Sequence, residues 1–171
     1  TGWGKVNAKK TLQVLEENRY LETEIANGVE KRWNLYIAPS KDAFRVTMVW
    51  DDAYGKIESI IPPKLFYTDS KLVNDLDIYL ISPSGKYYYP WRLNPLPTDE
   101  LEKTTFGWHH KGTEKIKLND IQDAVRDCNK PYKLDSECFD HLNNVEVVDV
   151  DNPESGIWQV VVMGTSITQG N

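Results

Sequence analysis

From about residue 19 onward the apolar residues recur at every second position, and that period limits what this chain can fold into more than any other property. Phe44, Val46, Met48 and Trp50 alternate with Arg45, Thr47 and Val49, and Leu76, Ile78 and Leu80 alternate with Asp75, Asp77 and Tyr79. Successive side chains of a strand point to opposite faces, so each run is expected to be a strand with one apolar face. Val145 to Val150 and Ile157 to Met163 are two more β-branched runs, parted by the turn-forming stretch Asn152-Pro153-Glu154-Ser155-Gly156. Tyr20 to Ala26 and Lys31 to Ala38 flank Asn27-Gly28, a tight-turn dipeptide, and are expected to pair as a hairpin. Six or more strands punctuated by Gly, Pro and Asn predict a mainly β fold, a jelly-roll-type two-sheet β-sandwich.

The exception comes first in the chain. Between Lys5 and Glu17, Ala8, Leu12 and Leu15 share one helical face at i, i+4 and i+7, which predicts a short N-terminal amphipathic helix with Asn18 as its exit. Two later stretches follow neither period. Ile57 to Lys71, with Pro62-Pro63, is expected to be a loop. Leu93 to Phe139, charged and Pro-rich with a short helix expected near Ile121 to Arg126, is expected to be an insertion between strands. At 171 residues, 40% of them hydrophobic, the chain can bury one core, and one domain with a short appendage is the expectation.

Charge and hydropathy exclude two classes of partner. The net charge of −6, with no run of Lys or Arg longer than two, gives no basic field for a phosphate backbone, so nucleic acid is not an expected partner. No apolar run approaches the roughly 20 residues needed to span a bilayer. Thr1-Gly2-Trp3-Gly4 lacks the layout of a signal peptide. The chain starts without Met inside apparent structure, as a piece of a longer polypeptide would, so this says nothing of its address.

The residues themselves resemble a family. Gly2-Trp3-Gly4-Lys5-Val6-Asn7-Ala8 is similar to the Gly-x-Gly-x-Val-(Asn/Asp)-Ala stretch that opens the last helix of subtilase catalytic domains. The blocks that follow are similar to the jelly-roll domain C-terminal to the catalytic domain in a group of bacterial subtilisin-like serine proteases. These blocks are Phe44 to Asp52, Leu72 to Tyr79, Ser82-Pro83-Ser84-Gly85, Asn143-Asn144-Val145-Glu146 and Ser155 to Val160, in the family's order. The resemblance implies that residues 1–18 are a remnant of the catalytic domain's last helix and 19–171 the jelly-roll, with a long insert at about 93–139. It further implies a secreted, non-catalytic accessory domain whose partner is the subtilase catalytic domain of the same polypeptide. The sequence departs from the family in the length of that insert, and in a last strand that is expected to be short or missing after Met163-Gly164.

The catalytic motifs of a subtilase are absent. Gly164-Thr165-Ser166 matches three letters of the nucleophile turn but continues Ile167-Thr168-Gln169; His109, His110 and His141 stand outside any His-Gly-Thr motif, and no Asp-x-Gly motif occurs. No catalytic residue is expected.

Three groups remain as candidate sites. Asp75 and Asp77 project from one face of a strand, and two like charges so placed need water, a basic neighbour or a cation. With Asp51 and Asp52 at the end of the Phe44 strand, and amide oxygens of Asn74 and Asn143, they would offer the hard oxygen ligands that calcium takes. The family resemblance also implies calcium. The competing reading is structural, with the carboxylates accepting backbone N–H bonds in adjoining loops. Cys128 and Cys138 lie in a polar insert that suits a disulfide in an exported protein, or two unpaired thiols in a loop. Tyr87, Tyr89 and Trp91 could expose rings for stacking on a glycan, which would make the domain a carbohydrate- or surface-binding module, or could pack internally.

Overall fold

A computed structural model of the chain describes residues 7–40, 42–55, 70–93, 101–104, 107–110, 115–117, 134 and 138–168. The fold is mainly β, with one short helix near the N-terminus and two antiparallel sheets packed on each other, as the alternation predicts.

Helix α1 (Ala8–Glu16) starts where Asn7 stops it from continuing backward: the Asn7 side chain accepts the N–H of Lys10 at 3.1 Å, filling one of the donors that a first turn leaves unpaired. It ends at Asn18, whose positive φ of 50° belongs to a residue type that tolerates the left-handed region. No residue of α1 is buried, and Leu12 and Leu15 stay exposed.

The main sheet has the order β1-β10-β3-β4, built from β1 (Glu30–Ile37), β10 (Gly156–Ile167), β3 (Asn74–Ile81) and β4 (Tyr87–Tyr88). The second sheet pairs β2 (Phe44–Val49) with β9 (Val145–Val150). Between the two sheets lie Ile78, Leu80, Val148, Val150 and Trp158, with Phe44, Val46, Met48 and Tyr88 against them. Trp158 is wholly buried, edge-on to Phe44 at 5.1 Å, and donates its indole N–H to the carbonyl of Glu154. The opposite parity of β3 and β10 is buried too: Tyr79 and Val161 pack with Tyr89, Cys138 and Phe139. The two central strands therefore carry apolar residues on both faces, which is why their alternation is partly blurred in the sequence.

Several expectations need correction. Residues 20–26 form no strand; β1 pairs instead along its whole length with β10, from Glu30 opposite Met163 to Ile37 opposite Gly156. The Asn27-Gly28 turn is present, with Gly28 at φ 70°, but it docks on β10, where Gly28 N donates to Gly164 O at 2.8 Å and Gly164 N to Val29 O at 3.0 Å. Tyr20 and Leu21 are exposed, so no burial rewards a ladder there. The strand expected from Ile157 to Met163 is longer than its apolar period: β10 runs twelve residues, because after Gly164 the ladder with β3 resumes through a bulge, Ser166 opposite Asp75 and Ile167 opposite Asn74. The insert contributes strands of its own, β5 (Trp91–Leu93) with β8 (Lys115–Lys117) and β6 (Leu101–Thr104) with β7 (Gly107–His110). The helix expected near residues 121–126 and residues 57–69 of the expected loop lie outside the described residues.

Candidate metal centre

Strand parity places Asp75 and Asp77 on the same face of β3 as Tyr79, as expected from their spacing. Three segments distant in sequence close over them. From β10, the bulge that skips Thr165 in the ladder leaves its hydroxyl free to donate to Asp77 Oδ2. From the turn after the insert, His141 Nδ1 comes to 2.8 Å from Asp75 Oδ2 and 3.6 Å from Asp77 Oδ1. From β9, Glu146 is wholly buried and its Oε2 accepts the N–H of Ile78 at 2.8 Å. That bond has a topological cause: β4 pairs with β3 only at Leu80 and Ile81, so nearer its start the edge of β3 is left to a side chain.

Asp140 completes the group. It is wholly buried, and it folds its own turn, accepting Leu142 N at 3.1 Å on Oδ1 and Asn143 Nδ2 at 2.6 Å on Oδ2. Asp75, Asp77, Asp140 and Glu146 are close enough to repel one another electrostatically.

The electrostatics are those of a site short of positive charge. Burial pushes the Asp77 carboxyl up to about 6 against the help of the Thr165 hydroxyl and of His141. Burial holds Glu146 well above the usual carboxylate range, and repulsion from Asp77 adds to it. Three buried carboxylate oxygens, Asp75 Oδ1, Asp77 Oδ1 and Glu146 Oε1, have no hydrogen-bond partner. A buried oxygen left so is costly, and native structures hold few of them. The donor atoms of Asp75, Asp77 and His141 all lie within 4.8 Å of one another, a spread that a single ion can span.

The other expected ligands are engaged elsewhere. Asp51 is exposed. Asp52 ties down the approach to β3, its Oδ1 accepting Ala53 N and Asn74 N and its Oδ2 accepting Val73 N, all within 3.0 Å. The Asn74 amide oxygen accepts Thr168 N, and its carbonyl accepts the indole N–H of Trp50. Asn143 turns its amide nitrogen to Asp140. The residues missed at the sequence level are Asp140, His141, Glu146 and Thr165. Glu146 did carry a signal: it shares its parity in β9 with Val148 and Val150, so an acid stands in a row of core residues.

The aromatic run is not an open platform. Tyr89 is buried against Phe139, Tyr87 stacks on Tyr79 at 5.6 Å, and Trp91 is half-buried with its indole N–H on Asp149 Oδ2 at 2.6 Å. Cys138 likewise departs from the expected polar loop: it is wholly buried in the Tyr79 cluster and disulfide-bonded, while Cys128 lies outside the described residues. Ser166 is exposed on β10. In comparison with known proteins, no family model and no curated protein matches the chain.

Proposed function

We propose that this chain is a non-catalytic, cation-stabilised β-sandwich domain. On this reading it is the accessory module that follows the catalytic domain of a secreted subtilisin-like serine protease, and it stabilises or positions that domain. One observation carries the cation: Asp75 and Asp77, whose donor atoms lie with that of His141 within 4.8 Å of one another, each keep a buried carboxylate oxygen without a hydrogen-bond partner. A divalent ion held by the Asp75 and Asp77 carboxylates would offset the repulsion that adds to burial in raising Asp77 and Glu146. It would draw β3 together with the turn after the insert, where His141 stands. The chemistry it supplies is cohesion. Calcium is the ion that the family resemblance implies.

The accessory role is supported by the ordered sequence blocks that resemble the subtilase jelly-roll, and by α1, whose Leu12 and Leu15 find no burial among the described residues. The disulfide at Cys138 suits an oxidising compartment and so a secreted setting. The alternative of a glycan-binding module loses its support with the inward packing of Tyr87 and Tyr89.

The test is thermal unfolding in chelator and across a calcium titration. Binding to the folded state alone stabilises by RT ln(1 + [L]/Kd), about 2.7 kcal/mol at a hundredfold excess over Kd. The melting temperature is expected to rise with calcium in the wild type and to be indifferent to it in Asp77→Asn. Identical wild-type curves in chelator and in millimolar divalent ion would end the proposal.

A further inference from the structure

The carboxylates of this cluster are accompanied by one group that a pure oxygen site does not need. We infer that His141 supplies a nitrogen ligand through Nδ1, and that the site is thereby built for a first-row transition ion of the manganese, iron or zinc class rather than for calcium. The inference rests on the cation-binding reading above and narrows it to an ion.

Two features of the geometry support it. First, the imidazole is aimed inward by the atom that would coordinate. Nδ1 is 2.8 Å from Asp75 Oδ2 and 3.6 Å from Asp77 Oδ1, while the ring edge packs against Phe139 at 6.4 Å between centroids. Neighbouring donors around an octahedral ion with bonds of about 2.1 Å stand about 3 Å apart, so both oxygens stand close to a shell neighbour's distance from Nδ1. For the ring to coordinate, its proton must reside on Nε2, which leaves the Nδ1 lone pair for the ion.

Second, the oxygens that would fill a larger shell are committed. Calcium takes six to eight oxygens, whereas both oxygens of Asp52 and the amide oxygen of Asn74 bind backbone N–H groups. What converges within 4.8 Å is two carboxylates, from Asp75 and Asp77, and one imidazole, from His141. Mixed carboxylate and imidazole sets of this size suit manganese, iron and zinc, and imidazole contributes little to a hard ion such as calcium. The buried, unpartnered Oδ1 of Asp77 is what separates this group from an ordinary acidic surface cluster.

The experiment is calorimetric titration of the metal-stripped, oxidised chain with manganese, zinc and calcium chlorides. The wild type, His141→Asn, His141→Ala and Asp77→Asn are compared, with circular dichroism to establish that each variant is folded. The wild type is expected to bind one manganese or zinc ion at least tenfold more tightly than calcium. Both His141 variants are expected to lose at least roughly 10- to 100-fold for manganese and zinc, the loss that removing even a group behind the ligands ordinarily causes, and less than about threefold for calcium. Asp77→Asn should abolish binding of all three.

Calcium binding as tight as manganese and zinc in the wild type overturns the inference but leaves the cation-binding reading standing. So does an equal loss for all three ions in the His141 variants, or zinc retained by Asp77→Asn. Absence of binding by any of the three ions overturns both.

Discussion

At the scale of single residues, Asp77 concentrates the physical argument, because a carboxylate with no exposed surface is held in a group of four acids. Its carboxyl stands at about 6, against an ordinary value of 3.8, so the folded state holds the proton more tightly than the unfolded chain does. A raised value of this kind contributes stability that is complete below the ordinary carboxylate range and is lost as pH rises through the folded value. The metal-free protein should therefore weaken between about pH 4 and pH 7, by about 3 kcal/mol if Asp77 acted alone. Glu146, raised in the same direction, acts with the same sign. Asp77→Asn mimics the protonated acid, so in chelator its stability should vary less with pH across that interval. Urea unfolding at several pH values measures the difference, and parallel curves for the two proteins would contradict the account. Added metal should remove the wild-type decline, since the ion takes over the proton's role.

At the scale of elements, β10 shows how one backbone position can govern a site. A side chain at Gly164 would run into the carbonyl of Ala26 and come within 2.8 Å of Ile167 Cδ1, and the peptide is held on both sides, its C=O accepting the N–H of Gly28 and its N–H donating to Val29 O. Gly164→Ala should cost on the order of 1–3 kcal/mol, the usual scale of overpacking, and should also weaken metal binding by displacing the bulge that brings Thr165 to Asp77. A denaturation midpoint equal to that of the wild type would show that the contact is slack. The same strand marks the limit of what the sequence could tell. The cores of β2, β3, β9 and β10 were legible because alternating apolar residues have no other stable use. The twelve-residue length of β10 was not, because Thr165, Ser166 and Thr168 carry no apolar period and are held by backbone pairing and by Asn74 and Val73. Nor was the partner of β1 legible: the Asn27-Gly28 turn is local, but its choice of β10 over residues 20–26 depends on a contact more than 120 positions away. Of the candidate metal centre, Asp75 and Asp77 could be read from their spacing. Glu146, Asp140 and His141 join them through tertiary contacts that no local pattern encodes.

At the scale of the whole molecule, the two ends of the sandwich are closed by different chemistry, and they should respond differently to metal. At one end the turn at Ser82 to Lys86 is held by Glu154, which accepts Ser84 N and Ser84 Oγ and lies 3.7 Å from the ammonium of Lys86, while Trp158 fills the space between the sheets. That end satisfies its charges internally. At the other end Glu146, Asp77, Asp75 and Asp140 repel one another across the seam between β3, β9 and the turn after the insert, so without an ion this is where the molecule opens most easily. The amide of Ile78 reports on that opening, since its N–H is held only by Glu146 Oε2 on this side of β3. Hydrogen exchange measured with and without metal should show protection at Ile78, and at Leu142 beside Asp140, rising with metal by the full stabilisation seen in unfolding. Val160 and Val161, in the middle of β10 between two paired strands, should change little where they exchange through fluctuations that leave the acid cluster closed. Under conditions where exchange proceeds by local opening, the protection gained at Ile78 should therefore exceed that gained at Val161. If metal instead raised protection evenly over both ends, the ion would be acting on the folded state as a whole, and the acid cluster would not be the weak point of the metal-free domain.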